Sequence, residues 1–137
     1  MADDISYPDP RSSTVLYKIL TPAEADALPT GPDAVWAGSQ LDQSDGFLHT
    51  SSVHQLPITL GRFFSSESQV GDTVHIYALP RDRLEEGKLR WDVIKSGETF
   101  GHVLGCGINP STHFSFHRTY HRNPSTGLFE LDADLPF

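Results

Sequence analysis

A chain of 137 residues with 18 acidic and 10 basic side chains carries a formal charge of -8, which disfavours a general nucleic-acid or anionic-membrane surface, since either would need clustered Lys and Arg. The length suits one domain with one core. Cys106 is the single cysteine, so no internal disulfide forms. With no signal-peptide pattern at the N-terminus and no apolar run near the roughly 20 residues of a membrane span, the expected setting is the reduced cytoplasm.

Residues 1 to 13 hold acids, prolines and small polar residues without a period and read as a flexible arm ahead of a domain from 14 to 137. Thr14 to Ile19 reads as the first strand, with Val15, Tyr17 and Ile19 on one face and Lys18 on the other. Thr21-Pro22-Ala23-Glu24 pairs a cap, a Pro at the first helical position and a Glu three residues after the cap, so a short helix starts there. A brief extended piece, Ala34 to Ala37, and a polar loop, Gln40 to Ser44, lead to the turn Asp45-Gly46. The strand that follows carries Phe47, His49 and Ser51 on one face and Leu48 and Thr50 on the other, ending where Ser51 or Ser52 can cap a helix. Apolar residues at 53, 56, 60, 63 and 64 recur at helical spacing, and Pro57 draws the helix start toward itself.

Thr73 to Leu79 alternates as a strand, Arg81 to Leu84 is one helical turn, and Leu89 to Val93 and Phe100 to Gly105 are further strands. The glycines at 101, 105 and 107 open no helix and complete no dinucleotide fingerprint, so they are bends. Ile108 to Tyr120 alternates aromatic and polar residues as a two-faced strand, followed by a polar turn and a last short strand from Leu128 to Leu131.

His113, His117 and His121 would stack on a helix and invite a metal, but on a strand residues four apart lie roughly 13 Å from each other. No metal site is expected there. Cys106 lacks a paired base nearby and reads as a residue of a tight bend. His54 and His75 read as surface or edge histidines. The remaining polar interruptions of apolar strands are Lys18, His49, Thr50, Asp92 and His102. In Trp91-Asp92 and Phe100-Gly101-His102 an acid or an imidazole adjoins a large aromatic, a setting that moves its pKa toward neutrality.

Leu16-Tyr17-Lys18-Ile19-Leu20, Ala37-Gly38-Ser39 through Asp42, Asp45-Gly46-Phe47-Leu48-His49-Thr50-Ser51, Leu89-Arg90-Trp91-Asp92 and Phe100 to Gly105, in that order, resemble the domain-of-unknown-function 952 family. The resemblance covers roughly residues 14 to 112. It implies an α+β domain of two packed, mainly antiparallel sheets around a central cleft with short helices, in the ADP-ribosyltransferase-like manner. It also implies a pocket gathering Tyr17, Lys18, His49, Thr50, Trp91, Asp92 and His102. The central block looks like the dinucleotide-side strand of RNA 2′-phosphotransferases. Thr50 stands where members usually have Leu, Asp92 where they have Glu, and Lys18 where the dinucleotide-binding enzymes use His or Arg. These departures turn the reading away from NAD.

The expected function is therefore a cofactor-independent enzyme that moves protons on a small apolar or aromatic substrate in an isomerisation, cyclisation or addition. His102 or His49 would be the general base and the other the acid, with Lys18 or Thr50 as oxyanion donor and Asp92 completing the catalytic set. Tyr17, Thr50, Ser51, Trp91, Phe100, Phe114 and Phe116 would bind the substrate. An NAD-dependent ADP-ribosyl or phosphoribosyl transferase and a non-catalytic ligand-binding module are the alternatives. The expected partner is a small molecule, with no nucleic acid and no membrane. Geometrically, His49 and His102 should face one cavity, closer than about 15 Å, with Trp91 or Tyr17 in its wall.

Overall fold

The computed structural model describes residues 7–64, 71–105 and 107–137. They form an α+β domain of two three-stranded antiparallel sheets. In the first, β1 (Val15–Leu20), β3 (Thr73–Pro80) and β6 (Phe116–His121) lie in the order β1-β3-β6. In the second, β2 (Leu48–His49), β4 (Leu89–Val93) and β5 (Thr99–Val103) lie in the order β2-β5-β4. The chain leaving β2 crosses to the first sheet, where Ser51 N–H donates to the Tyr17 carbonyl at 2.9 Å and Tyr17 N–H donates back at 2.8 Å. This exchange brings the site-bearing sheet against β1.

β1 is buried on both faces, because each of its two side-chain rows enters a different core. Tyr17 and Ile19 join Leu56, Leu60, Val74 and Ile76. Leu16 and Leu20 join Trp36, Leu48, Leu79 and Val103. Lys18 belongs to the second row and is equally buried, so its ammonium requires a partner within the fold.

The short helices follow their caps. At α1 (Pro22–Asp26), Thr21 and Glu24 form the capping box expected from the sequence. The stretch read as a polar loop is instead a helix, α2 (Gln40–Asp45), closed at Gly46 with φ 85°. Its signal was a second capping box, in which Ser39 Oγ accepts from Asp42 N and Asp42 Oδ2 accepts from Ser39 N. A 3-10 turn, Val53–Gln55, precedes α3 (Leu56–Phe63), so the helix proper starts beside Pro57.

Ile108 to Tyr120 is not one strand. Asn109 caps a short helix, α4 (Pro110–His113), and the alternation begins only at Phe116. Leu128 to Leu131 forms no strand beyond a single bridge, Arg122 to Phe129. Residues 7 to 13 do not form a loose arm: Pro10 and Ser13 are buried, and Arg81 donates to the carbonyls of Arg11 and Ser13 at 2.6 and 3.1 Å. Residues 1–6 of the expected arm and the bend at Cys106 lie outside the described residues. Among the described residues no helix is long and apolar enough to cross a membrane.

Candidate functional site

Strand register assembles the site. His49 on β2 pairs with His102 on β5, which pairs in turn with Arg90 on β4. Directly opposed residues share a sheet face, so these three side chains form a row, with Asp92 and Phe100 beside it. The imidazole centroids of His49 and His102 are 5.2 Å apart, nearly perpendicular. Each Nδ1 meets its own carboxylate: His49 on Asp42 Oδ1 at 2.6 Å, His102 on Asp92 Oδ2 at 2.5 Å. Arg90 Nε holds the same Asp92 oxygen at 2.9 Å.

The two rings differ at Nε2. For His49, Nε2 lies 2.9 Å from Asp45 Oδ2, so carboxylates flank both ring nitrogens. For His102, Nδ1–H donates to Asp92, and Nε2 has no hydrogen-bond partner among the described residues. The lone pair of a neutral imidazole is left there. Phe47 covers the pair, stacked on His102 with centroids 4.1 Å apart and edge-on to His49 at 4.8 Å, and the Arg90 guanidinium lies over its ring at 5.2 Å. Burial pushes the His102 pKa down, the Asp92 bond pushes it up, and nearby His49 pushes it down; the net is below the usual histidine value. Asp92 is held below the usual carboxylate range by His102 first and Arg90 second.

Asp42 anchors the other ring and is 1% exposed. Burial alone would raise its pKa, but hydrogen bonds from His49 and Lys18 and the Lys18 charge overcome this and keep it ionised. Lys18 Nζ lies 2.8 and 2.7 Å from the two Asp42 oxygens and 2.8 Å from the His49 carbonyl. The Asp42 carboxylate takes one of its protons and the His49 carbonyl another. The sequence placed Lys18 at an oxyanion; the structure places it as the tie between β1, α2 and β2. Burial pulls its pKa down, with Asp42 opposing.

The row opens on a cavity of about 500 Å³, within the size range of small-molecule sites. Tyr17, Lys18, His49, Thr50, Ser51, Phe100 and His102 of the expected set line it. Tyr17 donates its hydroxyl to the Pro136 carbonyl at 2.6 Å, and burial pushes its pKa up to about 12, so it is wall and not acid. Thr50 Oγ1 donates to the Gly101 carbonyl at 2.6 Å.

Three expected residues lie elsewhere. Trp91 sits one residue from Arg90 and Asp92, so strand alternation turns it to the opposite face, against the second core and the Arg81 guanidinium. Phe114 packs between Trp36 and Tyr77, and Phe116 packs on the first core beneath Arg118. Asp42, Asp45, Phe47, Thr59 and Arg62 were not anticipated at the site, although the Ser39-x-x-Asp42 spacing was a readable sign for the first of them.

The cations lining the cavity are engaged by carboxylates, Lys18 on Asp42 and Arg62 on Glu98. A dinucleotide would need free cations or unspent backbone donors for its pyrophosphate, and these residues do not fit it. Among the described residues no group of three or more His, Cys, Asp or Glu side chains is arranged for a metal.

A family model described as "Protein of unknown function (DUF952)" matches residues 19–112. Among solved structures, protein CC0527 from Caulobacter crescentus is similar at 24% identity with a TM-score of 0.67, covering 85% of this chain and 94% of that one. A double mutant of the same protein gives a TM-score of 0.66 at the same identity and coverage. These likenesses show the fold alone. No curated protein matches the chain.

Proposed function

The chain belongs to the DUF952 family of proteins of unknown function, and from that premise we propose a cytoplasmic, cofactor-independent enzyme that moves protons on a small, largely apolar substrate. One observation carries this reading: two carboxylate-held imidazoles, 5.2 Å apart, border one cavity with different partners at their nitrogens. His102, with Nδ1 spent on Asp92 and Nε2 open, is the general base. His49, between Asp42 and Asp45, is the acid and the electrostatic partner. Two titratable groups held in different surroundings are what acid–base catalysis uses. We retain the ADP-ribosyltransferase-like assignment of the cleft as a proposal about ancestry and carry no chemistry from it.

The test is a thermal-shift screen of phenols and enones followed by product analysis, with NAD as a separate arm. A phenol or enone should raise the melting temperature, and His102→Gln should abolish turnover while leaving that shift in place. Binding without product in the native protein would support the non-catalytic module instead. A response to NAD alone would overturn the proposal.

A further inference from the structure

We propose that the cavity selects an uncharged, enolisable carbonyl compound, whose carbonyl oxygen is held by the Ser51 and Thr59 hydroxyls while its acidic C–H faces His102 Nε2. The inference rests on the acid–base reading above and adds the substrate class and a donor pair.

Ser51 Oγ and Thr59 Oγ1 lie 2.7 Å apart, and both line the cavity. Two hydroxyls carry two protons, and their mutual bond uses one. Among the described residues no acceptor takes the other. The pair therefore offers one donor to a molecule in the cavity, pre-set by the first bond. Lys18 is tied by its ion pair with Asp42 and its bond to the His49 carbonyl. Ser51 follows His49 by two residues, and His49 stands directly opposite His102, so the hydroxyl pair and the base border the same cavity.

Charge and shape narrow the class. Lys18 faces Asp42 and also senses Glu24, a cavity-lining carboxylate that accepts only from Thr21 among the described residues. Arg62 is bound to Glu98. A ligand anion would meet more carboxylate than free cation, and its desolvation would go uncompensated. Phe63, Phe64, Ile94 and Phe100 supply apolar wall, which suits an aromatic or branched hydrocarbon body.

The chemistry balances without a co-reactant. His102 Nε2 takes the proton from the carbon next to the carbonyl, the C–H electron pair becomes the C=C bond of an enolate, and the carbonyl π pair moves to oxygen. The free hydroxyl proton of the pair hydrogen-bonds that oxygen. Return of the proton from His102 to a conjugated carbon shifts the double bond, and return to the original carbon exchanges it with solvent. Nothing is oxidised or reduced and no group leaves.

Naphthol, a stable enol mimic, and naphthoate, its anionic counterpart, are the probes, titrated calorimetrically into the full chain. Naphthol should bind at least about tenfold more tightly than naphthoate. Ser51→Ala combined with Thr59→Val, which removes both hydroxyls, should weaken naphthol about five- to tenfold, and Thr59→Ser alone should weaken it less, with circular dichroism confirming the fold of each. Equal binding of the two probes, no binding of either, or unchanged naphthol affinity in the folded double variant would overturn the substrate class. Hydrogen–deuterium exchange at the carbon next to the carbonyl of tetralone reports separately on the acid–base reading. Exchange that survives His102→Gln would defeat that reading and leave the binding comparison standing.

Discussion

Two pairs of histidines lie side by side across antiparallel strands of this protein, and what holds their nitrogens differs. His49 and His102 are 5.2 Å apart and rest on Asp42 and Asp92. His75 on β3 and His117 on β6 are 6.0 Å apart; His75 Nδ1 meets the Thr119 hydroxyl at 3.0 Å, and His117 stacks on Tyr77 at 4.6 Å. Both pairs arise from antiparallel pairing, the first directly opposed and the second diagonal. Only the first has carboxylates that fix which nitrogen carries the proton, and only the first borders the cavity. Proximity of imidazoles is cheap on a sheet, whereas an anchored tautomer beside an enclosed volume needs several elements at once.

The largest test of that contrast is exchange of the base. His102→Gln should lower turnover by roughly 10²- to 10⁴-fold, while His117→Gln should leave it unchanged; steady-state rates on any substrate found by the screen decide it. Equal losses would mean that the carboxylates are not what matters.

Asp42→Asn comes next, because it leaves the Lys18 ammonium buried without its counter-charge. A loss of about 3–5 kcal/mol is expected, against less than about 0.5 kcal/mol for an exposed change such as His117→Ala; urea denaturation measures both. A loss below about 1 kcal/mol would show that Lys18 finds another partner or gives up its proton.

Phe47→Ala removes the ring stacked on His102. It should cost about 1–2 kcal/mol for a half-buried aromatic and return the His102 titration toward its ordinary value, since rehydration favours the charged form. NMR titration of the imidazole carbons tests this, and an unmoved midpoint would assign the depression to His49 and not to burial.

The same depression has a sign in stability. The folded His102 binds a proton less readily than the unfolded one, whose value is near 6.5. As pH falls through and below that value the unfolded chain gains protons first and stability declines; above it the contribution is complete. His102→Gln should flatten the fall of denaturation midpoints as pH drops through and below about 6.5. The smallest effect is expected from Thr50→Val, which deletes the bond to the Gly101 carbonyl and should cost about 1 kcal/mol, read from the thermal midpoint.

Much of the scaffold was legible along the chain. β1 and β3 show their alternation, Thr21 to Glu24 announces its helix, and Pro57 marks the start of α3. The weaker readings failed where a local pattern was ambiguous. Gln40 to Asp45 is polar on its surface and looked like a loop, yet the Ser39 and Asp42 exchange makes it helical. The aromatic alternation after Ile108 looked continuous, yet Pro110 and the Asn109 cap interrupt it.

The sequence by itself determined the local elements, the apolar faces and the two histidines set beside glycines, because caps, turns and alternation depend on residues a few positions apart. Tertiary structure decided that His49 stands opposite His102, that Trp91 turns away while Asp92 turns in, and that Asp42 is buried under both Lys18 and His49. The first two outcomes follow from strand register, and the third from the helix α2 that seats Asp42. Register depends on which faces two sheets bury against each other, and a shift of one residue would have sent the side chains of the shifted strand to the opposite side.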